Sequence, residues 1–310
     1  MYFPYFRGKQ FELITIRETA ERMASAGFSP IIEPVKETLN GLERTLTTLC
    51  DAGVAATVIV NPSYGDHAEG GGAISELIQQ FVGKGDIGAG ILLKEGIEIA
   101  SALQLREEHL GHDPIFVHAG FTEAKALAES LGDDLTVTRH AFFERYAGKL
   151  YRKHFEGATR MLIRDGFERQ RNADYPEVEE FSDLHITYVD EGMDGFGDFL
   201  IVGDEFRDGG GPAYAVAIHL TFIDPDKDDA MYVYHFVSTT KDTPTDPGGK
   251  FGQALGKLIQ KLNSGTSKLY ETEAIQEFRL LHEKGHFPGL GYVKKLSMNH
   301  HIQTLASFLE

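Results

Sequence analysis

Residues 88–95 read GAGILLKE, a short apolar run that ends abruptly in Lys94 and Glu95. A run this short and without alternation is what a strand buried on both faces requires, and a helical pattern follows it. The phrase recurs along the first half of the chain, each time closing on a different polar side chain: residues 2–7, 28–35, 55–61, 113–118, 135–139 and 159–165. Helical patterns fill the intervals at residues 9–26, 38–52, 73–82, 97–110, 122–131 and 144–155, and Gly27, Gly53 and Gly132 stand where such helices end. Strands alternating with helices at this spacing make parallel βαβ units with right-handed crossovers. The reading is an α/β fold, a (β/α)8 TIM-barrel-like closed sheet. The open doubly wound sheet is the rival, disfavoured because no Gly-rich dinucleotide fingerprint follows an early strand.

The alternation stops after Asp165. Residues 166–197 form an acidic, irregular insertion with room for a helix. Three β-like runs follow at 199–206, 214–223 and 231–238, joined by connections too short for parallel crossovers. An antiparallel meander over residues 198–240 is expected, with residues 199–203 as the eighth barrel strand. Helical patterns over residues 250–310 end the chain. At 310 residues this fits a single β/α-barrel domain with extensions.

The net charge of −17 excludes a bulk nucleic-acid coat, which needs a basic surface, although not a small basic pocket. The single cysteine, Cys50, rules out an intrachain disulfide and reads as a small buried apolar residue in a reducing compartment. No signal peptide and no bilayer-spanning run are recognised, so a cytoplasmic location is expected.

In a β/α barrel, chemistry sits at the C-terminal ends of the strands. Those ends present Arg7 with Lys9, Glu33, Asn61, Lys94 with Glu95, His118, Arg139, and Arg164 with Asp165; Asp204 and Glu205 complete the ring. Cations dominate it. Arginine forks and lysine point charges suit phosphate or carboxylate groups, so Arg7, Lys9, Asn61, Arg139, Arg164 and Asp204 are the candidate ligand-binding set. Glu33, His118 and Asp165 are the acid–base candidates, and Lys94 also permits a Schiff base. The same charges could instead pair with one another as a structural network.

Other constellations are weaker. His219 and His235 fall opposite each other in the expected hairpin but lack a third metal ligand, and read as structural. The run 224–229 resembles the start of a calcium loop without its glycine or its closing glutamate, and reads as a solvated turn. The glycine-rich stretches 65–72 and 209–211 lack the GK[ST] ending of a phosphate-binding loop and read as mobile loops. His300 and His301 are expected to be exposed. No metal is assigned, and no cofactor is identified.

The opening Tyr2-x-Pro4-x-x-Arg7-Gly8-Lys9-x-x-Glu12, the Ile32-Glu33-Pro34 triplet and Gly197-Asp198 resemble the phage and bacterial "beta protein" family. The run 210–220, GGPAYAVAIHL, is similar to a subgroup of bacterial proteins. The resemblance implies a barrel-like fold and a setting in phage–host conflict. It implies no catalytic role, and it marks Arg7, Lys9, Glu12, Glu33 and Asp198.

The functional expectation is an enzyme acting on a phosphorylated or otherwise anionic small molecule or nucleic-acid end, by phosphoester chemistry. The alternative is a non-catalytic interaction protein of a bacterial or phage-defence complex, with the insertion and the C-terminal helices as its contact surface for a protein partner.

Overall fold

The computed structural model describes residues 1–209 and 211–310. It divides into two compact units, Met1–Asp165 with Thr187–Phe199, and Gly166–Ile186 with Leu200–Glu310.

The first unit runs β1 (Tyr5–Phe6), α1 (Gln10–Glu18), α2 (Ala20–Ala26), β2 (Ile31–Ile32), α3 (Asn40–Ala52), β3 (Ala56–Ile59), α4 (Gly72–Gln79), β4 (Ile87–Leu93), α5 (Ile99–Glu108), β5 (Ile115–His118), α6 (Ala124–Leu131), β6 (Arg139–Phe143), α7 (Lys149–Lys153) and β7 (Thr159–Arg164). The chain then passes through β8 (Val178–Ser182) and α8 (Leu184–Thr187) before β9 (Gly195–Asp198). Eight of these strands form one sheet in the order β1-β2-β3-β4-β5-β6-β7-β9, and every neighbouring pair is parallel. A parallel bridge between Tyr2 and Phe196, with Phe3 N donating to Phe196 O at 2.8 Å, ties the two edge strands together, so the sheet is barrel-like and nearly closed.

Alternation along each strand sorts the side chains. Phe3, Tyr5, Ile31, Ile59, Leu92, Ile115, Val117, Ala141, Phe143, Met161 and Ile163 fill the interior. Gly195 sits among them because a Cβ there would come within 2.6 Å of the Phe3 ring. The expected first helix is two. Thr19 interrupts it, its hydroxyl donating to Thr15 O at 2.8 Å, and α2 ends at Gly27 with φ +67°.

The strands are mostly shorter than the sequence reading gives, and two placements that bear on the site differ from it. Residues 132–137 are a 3-10 turn, so the sixth strand starts, and does not end, at Arg139. The eighth barrel strand is β9, with the sequence GFGD, and not residues 199–203. Its two glycines and short length hide it from a propensity reading.

The second unit holds an antiparallel sheet in the order β10-β11-β8, with β10 (Ala217–Asp224) and β11 (Ala230–Val237) forming a hairpin. The third strand is β8, from the acidic insertion, where residues 199–206 were expected. Helices α9 (Pro247–Asn263), α10 (Glu273–Lys284) and α11 (Leu290–Leu309) follow. Val216, Ile218, Leu220 and Phe236 pack with Phe251, Leu255, Leu258, Ile275, Phe278 and Leu296 as its core. Each fully buried Leu, Ile or Phe contributes about 1.5–3 kcal/mol relative to exposure. Gly210, within the glycine-rich stretch 209–211 and the run 210–220, lies outside the described residues. Among the described residues no helix is long and apolar enough to cross a membrane.

Candidate functional site at the barrel mouth

The inward set of each early strand continues one step past its end. Phe3 and Tyr5 lead to Arg7, Ile31 to Glu33, Ile59 to Asn61 and Leu92 to Lys94. Arg7 and Glu33 are buried, at 4% and 0% exposure. The Arg7 guanidinium pairs with Glu33 Oε2, and Tyr5 Oη donates to the same oxygen at 2.8 Å. Ser63 N donates to Oε1 at 3.0 Å. Three donors thus hold one buried carboxylate, as a charge removed from water requires. Arg7 N donates to Glu12 Oε2 at 2.6 Å, so the first turn of α1 is tied to the same strand end.

Aromatic rings complete the mouth. The Arg7 guanidinium lies 5.3 Å from the Tyr5 centroid, 4.9 Å from Tyr64 and 5.8 Å from Phe199. The Lys94 ammonium lies 3.8 Å from the Tyr64 centroid. Tyr64 therefore carries two cations, each attracted by its ring. Lys94 is half-buried, and among the described residues no carboxylate pairs with its ammonium. Tyr5, Phe143 and Phe199 meet below, with centroids 5.0 and 4.9 Å apart in edge contacts.

Asn61 reaches across to β4 instead of into a pocket. Its amide donates to Leu92 O at 3.0 Å and its carbonyl accepts from Leu92 N at 2.8 Å, which lengthens the β3–β4 ladder by one step. Lys9 is half-buried at the N-cap of α1. Arg164 makes a fork with Glu144, Nε to Oε2 at 2.6 Å and Nη2 to Oε1 at 2.9 Å. Asp165 is exposed beyond β7, and Asp204 belongs to the second unit. Asp198 alternates away from the interior and accepts from Tyr2 Oη at 2.7 Å.

Arg139 and His118 do not join the mouth either. Arg139 stands at the opposite, N-terminal end of β6, where it pairs with Asp113 at 2.6 Å. His118 is at the C-terminal end of β5 but on its outward face, against Tyr151, Phe142 and Phe155. Ile115 and Val117 are the inward residues of that strand.

The His118 ring belongs to a hydrogen-bonded chain with a defined direction. Thr138 Oγ donates to Leu135 O at 2.6 Å, so it accepts from His140 Nε2 at 2.7 Å. His140 Nδ1 then accepts from His118 Nε2 at 2.9 Å, and His118 Nδ1 accepts from Tyr151 Oη at 2.7 Å. Every member is satisfied with both rings neutral. Burial and the neighbouring His140 push His118 well below the usual histidine range. Burial and then Arg160 push His140 down to about 3, and burial raises Tyr151.

The second unit has its own histidine pair. His219 and His235 are directly opposite in register, with their Nδ1 atoms 2.6 Å apart, and His235 Nε2 is 3.0 Å from Glu179 Oε1. Among the described residues no group of three side chains has metal-holding geometry. Lys268 bridges Asp224 and Asp226, lying 2.8 Å from the latter, so an ammonium occupies the calcium-loop-like turn. His300 and His301 are fully buried, not exposed: Thr272 Oγ lies 2.8 Å from His300 Nδ1, and Thr221 Oγ lies 3.0 Å from His301 Nδ1. Cys50 is half-buried, and burial and then Asp51 raise its thiol. Within the stretch 65–72 most residues are exposed, but His67 is buried with Nε2 3.1 Å from Lys36 O, and a Cβ at Gly71 would come within 1.6 Å of Val60 O.

Tyr5, Ser63, Tyr64 and Phe199 are the mouth residues that sequence reading missed. Tyr5 was recoverable, since it lies two positions before Arg7 on the same strand face. No family model, no curated protein and no solved structure matches the chain.

Proposed function

We propose that the first unit is a TIM-barrel-type protein that binds an anionic small molecule, phosphorylated or carboxylated, at its C-terminal mouth. The observation that carries this is Lys94. Its ammonium rests on the Tyr64 ring with no carboxylate partner among the described residues, beside an Arg7 that shares the ring. An anion reaching Lys94 would find a cation whose neighbours have not neutralised it, on a wall of low polarity where charge attraction is strong. Ring attraction acts on the ammonium, which favours charge binding over a Schiff base.

Glu33 is committed to three donors, so acid–base work on such a ligand would fall to an exposed carboxylate. Glu95, next to Lys94, and Asp165, after β7, meet that condition. Phosphoester chemistry is the enzymatic form of this reading. The positions that carry the "beta protein" resemblance support a shared role for the region, because Arg7, Glu12 and Glu33 are directly linked.

A specific observation favours a second reading. The Tyr5, Phe143 and Phe199 rings fill the barrel top where an enzyme would hold its substrate. This suits a non-catalytic interaction protein, with bacterial or phage-defence complexes as its setting.

A thermal-shift screen against inorganic phosphate, sugar phosphates, nucleotides and dicarboxylates separates the two readings. Under the first, at least one anion raises the melting temperature by mass action. The shift disappears in Lys94→Gln and persists in Arg139→Ala. Absence of a shift across the panel removes the first reading in favour of the second.

A further inference from the structure

The first unit holds a second concavity, away from the interior of the sheet. A cavity of about 280 Å³ lies between α1, the start of α3 and the segments that follow β1 and β2. Leu13, Val35, Leu39 and Leu42 give it an apolar lining, and Gln10, Arg17 and Lys36 give it a polar one. Its volume approaches the lower end of small-ligand pockets, about 300 Å³.

Arg17 is the group that points to a ligand. Its Nη1 is anchored, donating to Gly41 O at 3.3 Å and Thr45 Oγ at 2.8 Å. No carboxylate pairs with it among the described residues, and its Nε and Nη2 carry no hydrogen bond there. A guanidinium fixed through one nitrogen keeps the Nε–Nη2 edge, which is the edge that grips a carboxylate with two parallel bonds. The charge is also incompletely compensated. Burial and the nearby Arg44 lower the Arg17 pKa, and Glu18 opposes them only in part. Helix α3, of 13 residues, begins at the cavity with Leu39 at its N-cap and no side-chain cap, so its first backbone N–H groups add a positive field.

We propose that this cavity binds a carboxylate with a short apolar tail, the carboxylate on the Arg17 fork and the tail against Leu13, Leu39 and Leu42. The apolar lining selects this class over a bare phosphate, which would leave those side chains in contact with water. The site is independent of the mouth, sharing none of the groups that surround Lys94.

The test is calorimetric titration of the full chain with acetate, butyrate, hexanoate and inorganic phosphate. Affinity should rise about three- to fourfold per added methylene until the cavity is filled. Arg17→Gln should weaken butyrate binding at least about tenfold, the loss of a charged hydrogen-bonding group. Leu39→Trp, which fills the cavity from its rim and keeps every polar contact of Arg17, should also abolish binding, and it decides the matter if Arg17→Gln does not fold. Butyrate binding that survives both variants overturns the proposal, as does failure of all the carboxylates to bind. Phosphate binding without a chain-length gain overturns the ligand class. Loss of butyrate binding in Lys94→Gln with retention in Arg17→Gln moves the ligand to the mouth and overturns the site.

Discussion

Glu33 and His118 each stand at the C-terminal end of a parallel strand, and each is buried, yet they face opposite sides of the sheet. Glu33 points inward, accepts hydrogen bonds from Arg7, Tyr5 and Ser63, and helps to form the mouth. His118 points outward and is neutral within a chain that runs from Tyr151 to Leu135. An ion pair and a neutral hydrogen-bonded chain therefore line the two faces of one wall. The side-chain period of two decides which residue meets which, and a strand end alone does not make a site.

Four substitutions or conditions test this contrast. Glu33→Ala removes the carboxylate from a buried arginine and should cost about 3–5 kcal/mol of stability in a urea titration. A loss below about 1 kcal/mol would mean that the pair is not buried as charges.

The outer chain should show itself in acid. His118 and His140 have folded pKa values below the ordinary histidine value, His140 at about 3, so the unfolded chain binds more protons below that ordinary value. The stability they contribute is fully present above about pH 6.5 and is lost as pH falls toward the folded values, at up to about 1.4 kcal/mol per pH unit for each ring. His140→Leu should flatten that slope between pH 6 and pH 4; an unchanged slope would place the titrating groups elsewhere. His235 and His300, each lowered to about 4 chiefly by burial, add to the slope with the same sign.

Asn61→Ala should cost about 1–3 kcal/mol, because Leu92 N and O lose their partners at the β3–β4 junction. Hydrogen exchange at Leu92 is the readout, and unaltered protection would contradict the bridge. Arg139→Ala should cost less than about 1 kcal/mol, since its pair with Asp113 is largely open to solvent. It should also leave anion binding intact, the contrast expected of a residue at the far end of the strand.

The βαβ alternation, most of the strands and the glycine helix ends were legible, because apolar runs and φ-positive glycines carry physical signals of their own. Arg7 and Glu33 were legible as strand ends. Arg139 was misplaced because residues 135–138, rich in β-branched threonine and valine, look like a strand, whereas 132–137 form a 3-10 segment and the strand begins only after Thr138. β9 and β8 escaped notice because GFGD and VEEFS have neither long apolar runs nor strict alternation. The orientation of His118 needed the register of β5, which an unbroken apolar run such as IFVH does not reveal. Tyr64 could not be foreseen, since its contact with two cations depends on how the turn after Asn61 folds back.

The most direct test of the account is the position of an anion in crystals soaked with tungstate, a strongly scattering stand-in for phosphate. An anomalous peak is expected with the tungstate oxygens at about 3 Å from Lys94 Nζ, a normal hydrogen-bond length, beside the Tyr64 ring that Lys94 and Arg7 share. Lys94 resting on Tyr64 with no peak beside it, while tungstate binds elsewhere or not at all, would contradict the claim that the barrel mouth is an anion site.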